Sequence, residues 1–199
     1  MLARTGSSGI DKQPVAGAVA VGIPAYGNSG LAGDFISDPE DHGGVDRAVY
    51  AYSREDLDLW QAELGRDLAS GVFGENLTTV AVDVTGAEIG ERWRIGSELV
   101  LEVSAPRTPC RTFAAWMDEK RWIHTFTQHA LPGAYLRVLV PGSVRAGDTV
   151  EVVRRPGHGV TVGLVFRAIT TESELLPQVA VVDALAGEML ATVRRRVGA

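Results

Sequence analysis

Short apolar runs interrupted by glycine and proline constrain this chain most: 23 glycines and nine prolines fall among 199 residues. Long helices cannot persist through such punctuation, whereas strands of four to eight residues can. The rhythm predicts a mainly β barrel or sandwich with short helices. Strand candidates are Val15 to Val21, Ala48 to Tyr52 and Leu77 to Val82. Glu91 to Ile95 and Glu98 to Val103 flank a Gly96-Ser97 turn and read as a hairpin. Tyr135 to Val140 and Thr149 to Arg154 flank a Pro-Gly connection and read as a second pair.

Helical spacing emerges in three places. Ser53 opens a capping-box-like Ser53-x-x-Asp56, followed by Leu57, Trp60 and Leu64, with Gly65 at the end. Arg111 to Gln128 carries Phe113, Trp116, Trp122 and Phe126 and reads as two short helices. Thr161 is an N-cap candidate before Leu164, Val165, Ala168 and Ile169, and Val179 to Arg196 reads as a closing helix. The arginines at its end suit a helix C-terminus better than a nucleic-acid patch. The expected organisation is a disordered segment over 1–9, a β domain over 10–155 and a small helical appendage over 156–199.

Charge narrows the function classes. The formal net charge is −6, which disfavours extended nucleic-acid binding. Glu91 to Val160 nevertheless holds ten Lys/Arg against seven Asp/Glu. This locally basic stretch suits a small anionic ligand. A single cysteine excludes an internal disulfide. No secretory signal is evident, and the longest apolar run, Ala16 to Ile23, is too short to span a bilayer. A soluble, cytoplasmic protein is expected, without membrane contact. An exposed β edge would allow a homodimer.

P-loop, Gly-x-Ser-x-Gly, zinc-finger and dinucleotide-binding spacings are all absent. Three segments remain. The first is Pro106-Arg107-Thr108-Pro109-Cys110-Arg111. Its prolines make a rigid loop after a strand, and flanking guanidinium groups favour a thiolate, the form that attacks or binds metal. The arginines could instead grip a phosphate; a buried, inert cysteine is the bland alternative. The second is Gly71-Val72-Phe73-Gly74-Glu75-Asn76-Leu77, either a ligand-approaching turn or one capped by its own side chains. The third runs from Gly33-Asp34 to His42-Gly43-Gly44-Val45-Asp46-Arg47. Its acidic cluster, with Asp34, Asp38 and Asp41, suggests a hard metal, but EF-hand spacing is absent and it reads rather as a polar loop ordered by its own hydrogen bonds, with His42 able to face a ligand.

Taken in order, these segments resemble the MOSC domain, the module at the C-terminus of molybdenum-cofactor sulfurases, and in particular its stand-alone YiiM-like branch. The resemblance also includes Gly9-Ile10-Asp11-Lys12-Gln13-Pro14-Val15, Ile89-Gly90-Glu91-Arg92-Trp93, Tyr135-Leu136-Arg137-Val138-Leu139 and Ala146-Gly147-Asp148. It implies a β-barrel-like core, a three-helix appendage and a molybdenum cofactor, a pterin dithiolene with a phosphate. It implies Cys110 as the metal ligand and catalytic centre. Arg107, Thr108 and Arg111, with His42, Glu75 and Asn76, would line the cofactor cleft. It implies reduction of N-hydroxylated bases with electrons from a separate flavin reductase. The alternative is a sulfur or cofactor carrier in which Cys110 bears a persulfide; a third reading is a binding protein that has lost the chemistry. The only lysines, Lys12 and Lys120, lie in no Schiff-base context, so fused sulfurase chemistry is not expected.

Overall fold

A computed structural model describes residues 9–25, 28–36 and 43–198. The segment expected to be disordered, 1–9, lies outside the described residues except for Gly9. His42, Asp38 and Asp41 also lie outside them.

Eight strands are present among the described residues: β1 (Val19–Val21), β2 (Val49–Ser53), β3 (Leu77–Thr79), β4 (Arg92–Ile95), β5 (Leu99–Pro106), β6 (Ala134–Val140), β7 (Gly142–Val144) and β8 (Val150–Arg154). Six form one mixed sheet in the order β3-β2-β6-β5-β4-β8, curled into a half-barrel. Only β2–β3 is parallel. The expected β4–β5 hairpin forms, with Ile95 opposite Leu99.

The expected pairing of β6 with β8 does not occur. β6 lies between β2 and β5, while β8 pairs with β4 at the sheet's edge. The connection between them contains β7, which leaves the main sheet to pair with β1. The first strand is also shorter than expected, since Gly17 has φ +92°. The third stops at Thr79, before Ala81 at φ +58°.

The helices follow their local signals. In α1 (Arg54–Leu64) the Ser53 side chain accepts from Asp56 N, and Gly65 closes the helix with φ 65°. α2 (Arg111–Met117) and α3 (Trp122–His129) follow the cysteine as expected. α4 (Val162–Thr170) is capped by Thr161 through Leu164 N. Of the expected closing helix, Val179 to Arg196, only the later part forms, as α6 (Gly187–Val197), after a single turn, α5 (Leu176–Val179). Between them Val182 and Leu185 are buried, and Ala186 N bonds the Ser104 carbonyl of β5, so the chain turns onto the sheet rather than continuing as a helix. No helix among the described residues is long and apolar enough to cross a membrane.

Two apolar cores result. The larger joins sheet residues such as Trp93, Leu101 and Leu136 to Val162, Val165, Val179 and Val193 of the C-terminal helices. The smaller is largely aromatic: Tyr50, Tyr52, Trp60, Phe73, Phe113, Trp122, Phe126 and Phe166. Phe73 is central to it, with ring centroids 5.0 Å from Tyr52, 5.1 Å from Phe113 and 5.7 Å from Trp122. The site described below stands at the rim of this aromatic core.

Candidate functional site

β5 is the longest strand of the sheet, and it ends at Pro106. Arg107, the next residue, points inward and is 5% exposed. Its guanidinium donates to the Phe73 carbonyl and to the Tyr50 hydroxyl. It also lies 4.0 Å from the Phe113 ring centroid and 5.1 Å from that of Tyr50. Among the described residues no carboxylate lies within ion-pair distance of it. A guanidinium buried without a carboxylate is costly unless hydrogen bonds, ring faces or another anion offset its desolvation.

Cys110 is half-buried, three residues on. It N-caps α2, its Sγ accepting from Phe113 N at 3.5 Å. Burial opposes the charge on Arg107, yet Tyr50, Tyr135 and Cys110 together outweigh it and hold the guanidinium above its usual range. Burial pushes the pKa of both tyrosines up, only partly countered by Arg107. Both therefore remain neutral phenols near pH 7. Of these three groups the Cys110 thiol is intrinsically the most acidic. A cation this close favours the thiolate, the form that ligates soft metals.

The glycine-rich segment meets the cysteine loop in space. Phe73 supplies the carbonyl for Arg107, and Val72 supplies one for Trp116 Nε1 of α2 at 2.8 Å. Gly71 has φ +94°, and a Cβ there would lie 2.4 Å from the Lys12 carbonyl oxygen, so this turn requires glycine. Glu75, 2% exposed, accepts from Gly71 N at 2.5 Å, Phe73 N at 3.0 Å and Thr78 Oγ at 2.9 Å. Burial raises its pKa against these bonds. Asn76 pins the edge of β2: its Oδ1 accepts from Tyr50 N at 2.9 Å, and its Nδ2 donates to Asp34 Oδ2 at 2.9 Å. Glu75 and Asn76 thus hold the turn that holds Arg107, in keeping with a turn capped by its own side chains.

Thr108 and Arg111 are exposed beside the half-buried thiol. Asp34, from the acidic loop, ion-pairs with Lys12. No cluster of three His, Cys, Asp or Glu side chains capable of holding a metal occurs among the described residues.

Two residues were not singled out by sequence reasoning. Tyr135, on β6, is half-buried and lies in the combined field of Arg107, Arg47 and Cys110. Arg47 ends a short 3-10 turn, Val45–Arg47, and pairs with Glu188 of α6 at 3.2 Å. Both occur in segments that carried the family resemblance, but their convergence depends on strand pairing that no local signal encodes.

The MOSC domain model matches residues 38–151. The chain is 35% identical over 155 residues to the uncharacterised protein YflK of Bacillus subtilis, covering 78% of this chain and 67% of that protein. It is 34% identical over 118 residues to a protein named reductase from Gibberella moniliformis, covering 58% of this chain and about a fifth (21%) of that protein's length. The crystal structure of YiiM from Geobacillus stearothermophilus superposes with a TM-score of 0.79 at 27% identity, covering 94% of this chain and 88% of that one. With the half-barrel, the ordered motifs and these matches together, the chain belongs to the MOSC domain family and is similar to its YiiM members.

Proposed function

We propose that this protein binds a molybdenum cofactor and reduces N-hydroxylated bases or related compounds, with Cys110 as the protein ligand to the metal. The observation that carries the reading is the buried Arg107, which has no carboxylate within ion-pair distance among the described residues and stands in the field of the one cysteine. A soft thiolate beside a cation without a carboxylate fits a group that combines a soft redox metal with anionic substituents. The name of the Gibberella relative lends support to reductive chemistry.

When bound, the cofactor supplies two-electron redox chemistry. Cys110 would anchor it, and Arg107 would contribute a fixed positive charge already desolvated by Phe113 and Tyr50. Tyr50 is held by its hydroxyl bond to the Pro132 carbonyl at 2.8 Å, so its ring screens Arg107 from water. Arg111 and Thr108 stand at the open side, where an anionic substituent would enter. Reduction of an N–OH bond consumes two electrons and two protons and releases water. The electrons come, in this reading, from a separate flavin reductase.

Metal analysis tests it. Protein expressed with molybdate in a cofactor-competent host should carry about one molybdenum per chain, while Cys110→Ser should carry almost none yet keep its far-UV circular dichroism. Equal molybdenum in both proteins would remove Cys110 as the ligand. Absence of molybdenum from both, with sulfane sulfur detectable on Cys110, would put sulfur carriage ahead.

A further inference from the structure

α2 and α3, the helices that follow the cysteine, leave a groove of about 580 Å³ between them. Ala114 lines it from α2, Ile123 and Thr127 from α3, and the buried Trp122 forms its floor. Ile123 leaves 41% of its surface exposed there. Two short links join the groove to the thiol. Ala114 N donates to the Cys110 carbonyl at 3.0 Å, so the α2 wall begins one helical turn from the cysteine. The Trp122 ring is 5.4 Å from that of Phe113, and Phe113 N donates to Cys110 Sγ at 3.5 Å. A single phenylalanine thus separates the floor of the groove from the sulfur. Charge marks the rim. Lys120 and Arg121 are exposed in the turn between the helices, with His124 exposed on α3. Among the described residues neither Lys120 nor Arg121 has a carboxylate within ion-pair distance. Glu119 is drawn to Arg66, 3.6 Å away, so only Asp118 opposes these two cations within the turn. The rim therefore reverses the sign of a chain whose formal net charge is −6.

We propose that this groove is where the electron donor docks, and that the donor is an acidic flavoprotein whose carboxylates meet Lys120 and Arg121 while the edge of its flavin covers Ile123 and Trp122. The assignment rests on the reductive reading of Cys110 given above. Docking there excludes water from the groove and leaves only the packed Trp122 and Phe113 between the flavin and the sulfur, a short and rigid route for tunnelling. The two rings carry the electrons without being oxidised or reduced themselves. The flavin hydroquinone becomes the quinone as it gives up two electrons and releases two protons to solvent. The N–OH substrate takes up two electrons and two protons and leaves as the N–H product and water. A few exposed charges around a small apolar patch suit such a partner, because they steer fast encounters without making a lasting complex.

Amide spectra of the isotope-labelled full chain, titrated at low ionic strength with flavodoxin as the acidic flavoprotein probe, test the docking site without any metal. The largest shifts should fall between Asp118 and Thr127. Raising the salt to about 0.15 M should weaken the complex about ten-fold. Lys120→Glu combined with Arg121→Glu should weaken it about ten-fold or more, and Lys120→Arg should bind like wild type. The equal reversal on α6, Arg195→Glu with Arg196→Glu, should change binding less than about two-fold. Shifts centred elsewhere, equal losses from the two reversals, or no shift at millimolar flavodoxin would overturn the docking site. Larger shifts of the same amides with phosphatidylglycerol vesicles than with flavodoxin would give the face to a membrane surface and overturn it as well. None of these readings depends on metal uptake, so failure of the molybdenum assignment would be seen separately.

Discussion

Arg107 is the residue on which the site turns, and its burial makes opposing demands. Replacement by methionine removes a desolvated cation, which stabilises, but leaves the Phe73 carbonyl without its donor, which destabilises. The two effects are of similar size, so Arg107→Met should change unfolding free energy by no more than about 2 kcal/mol in urea denaturation. Its iodoacetamide labelling of Cys110 at neutral pH should nevertheless slow about ten-fold, because the thiolate loses its cation. A large stability loss with unchanged labelling would make Arg107 a structural bolt instead. Glu75 has the opposite character. Its pKa is raised by burial, so above the ordinary glutamate range the folded state retains a proton that the unfolded state releases. The stability it contributes is therefore greatest at acid pH and declines as pH rises from about 4.5 through its raised folded value. Glu75→Gln keeps one acceptor but sets an amide donor against a backbone N–H, and should cost about 1–2 kcal/mol. The difference in unfolding free energy between wild type and variant should shrink with rising pH across that window. A difference independent of pH would deny Glu75 the titration.

At the scale of elements, β2 and β6 carry the tyrosine wall of the site, and Gly133 sets how they meet. It has φ +66°, and a Cβ there would lie 2.7 Å from the Ala51 carbonyl oxygen and 2.6 Å from the Tyr52 ring. Gly133→Ala should cost about 3 kcal/mol or more and increase amide exchange along β2 and β6. Unchanged exchange there would show that the wall tolerates the displacement. Elements written in contiguous residues were legible before the structure: the cap at Ser53, the stop at Gly65, the β4–β5 hairpin, the two helices after Cys110 and the cap at Thr161. Elements whose place depends on distant partners were not. The turn after β6 looked like a hairpin because Pro and Gly mark any turn, and only the pairing of β7 with β1 shows where the chain goes. Cys110 and the glycine-rich segment were both legible as candidates, but the Arg107 contact to Phe73 that joins them spans 34 residues. Arg47 was missed for the same reason, since its Glu188 partner is 141 residues away.

Across the whole molecule, α4 binds the two cores together. Val162, Val165 and Ala168 enter the sheet core, while Phe166 enters the aromatic core, its centroid 6.2 Å from Phe126 at a nearly perpendicular angle. A helix that inserts side chains into both cores makes each depend on the other's packing. Wild type should therefore unfold in one transition, with far-UV and near-UV circular dichroism superimposed. Phe166→Ala opens a cavity on the aromatic side alone and should lower unfolding free energy by about 3–5 kcal/mol. Because the sheet core keeps its three α4 contacts, the near-UV signal of the aromatic cluster should be lost at lower urea than the far-UV signal. Val165→Ala, which injures only the sheet side, should not let the aromatic signal go first. Superimposed curves in Phe166→Ala would mean that the strands themselves, through β2 and its tyrosines, couple the cores. The consequence for function is specific, since Phe113 and Phe73, which hold Arg107, belong to the aromatic core. Loosening that core should slow Cys110 labelling in Phe166→Ala under native conditions, well before the sheet unfolds.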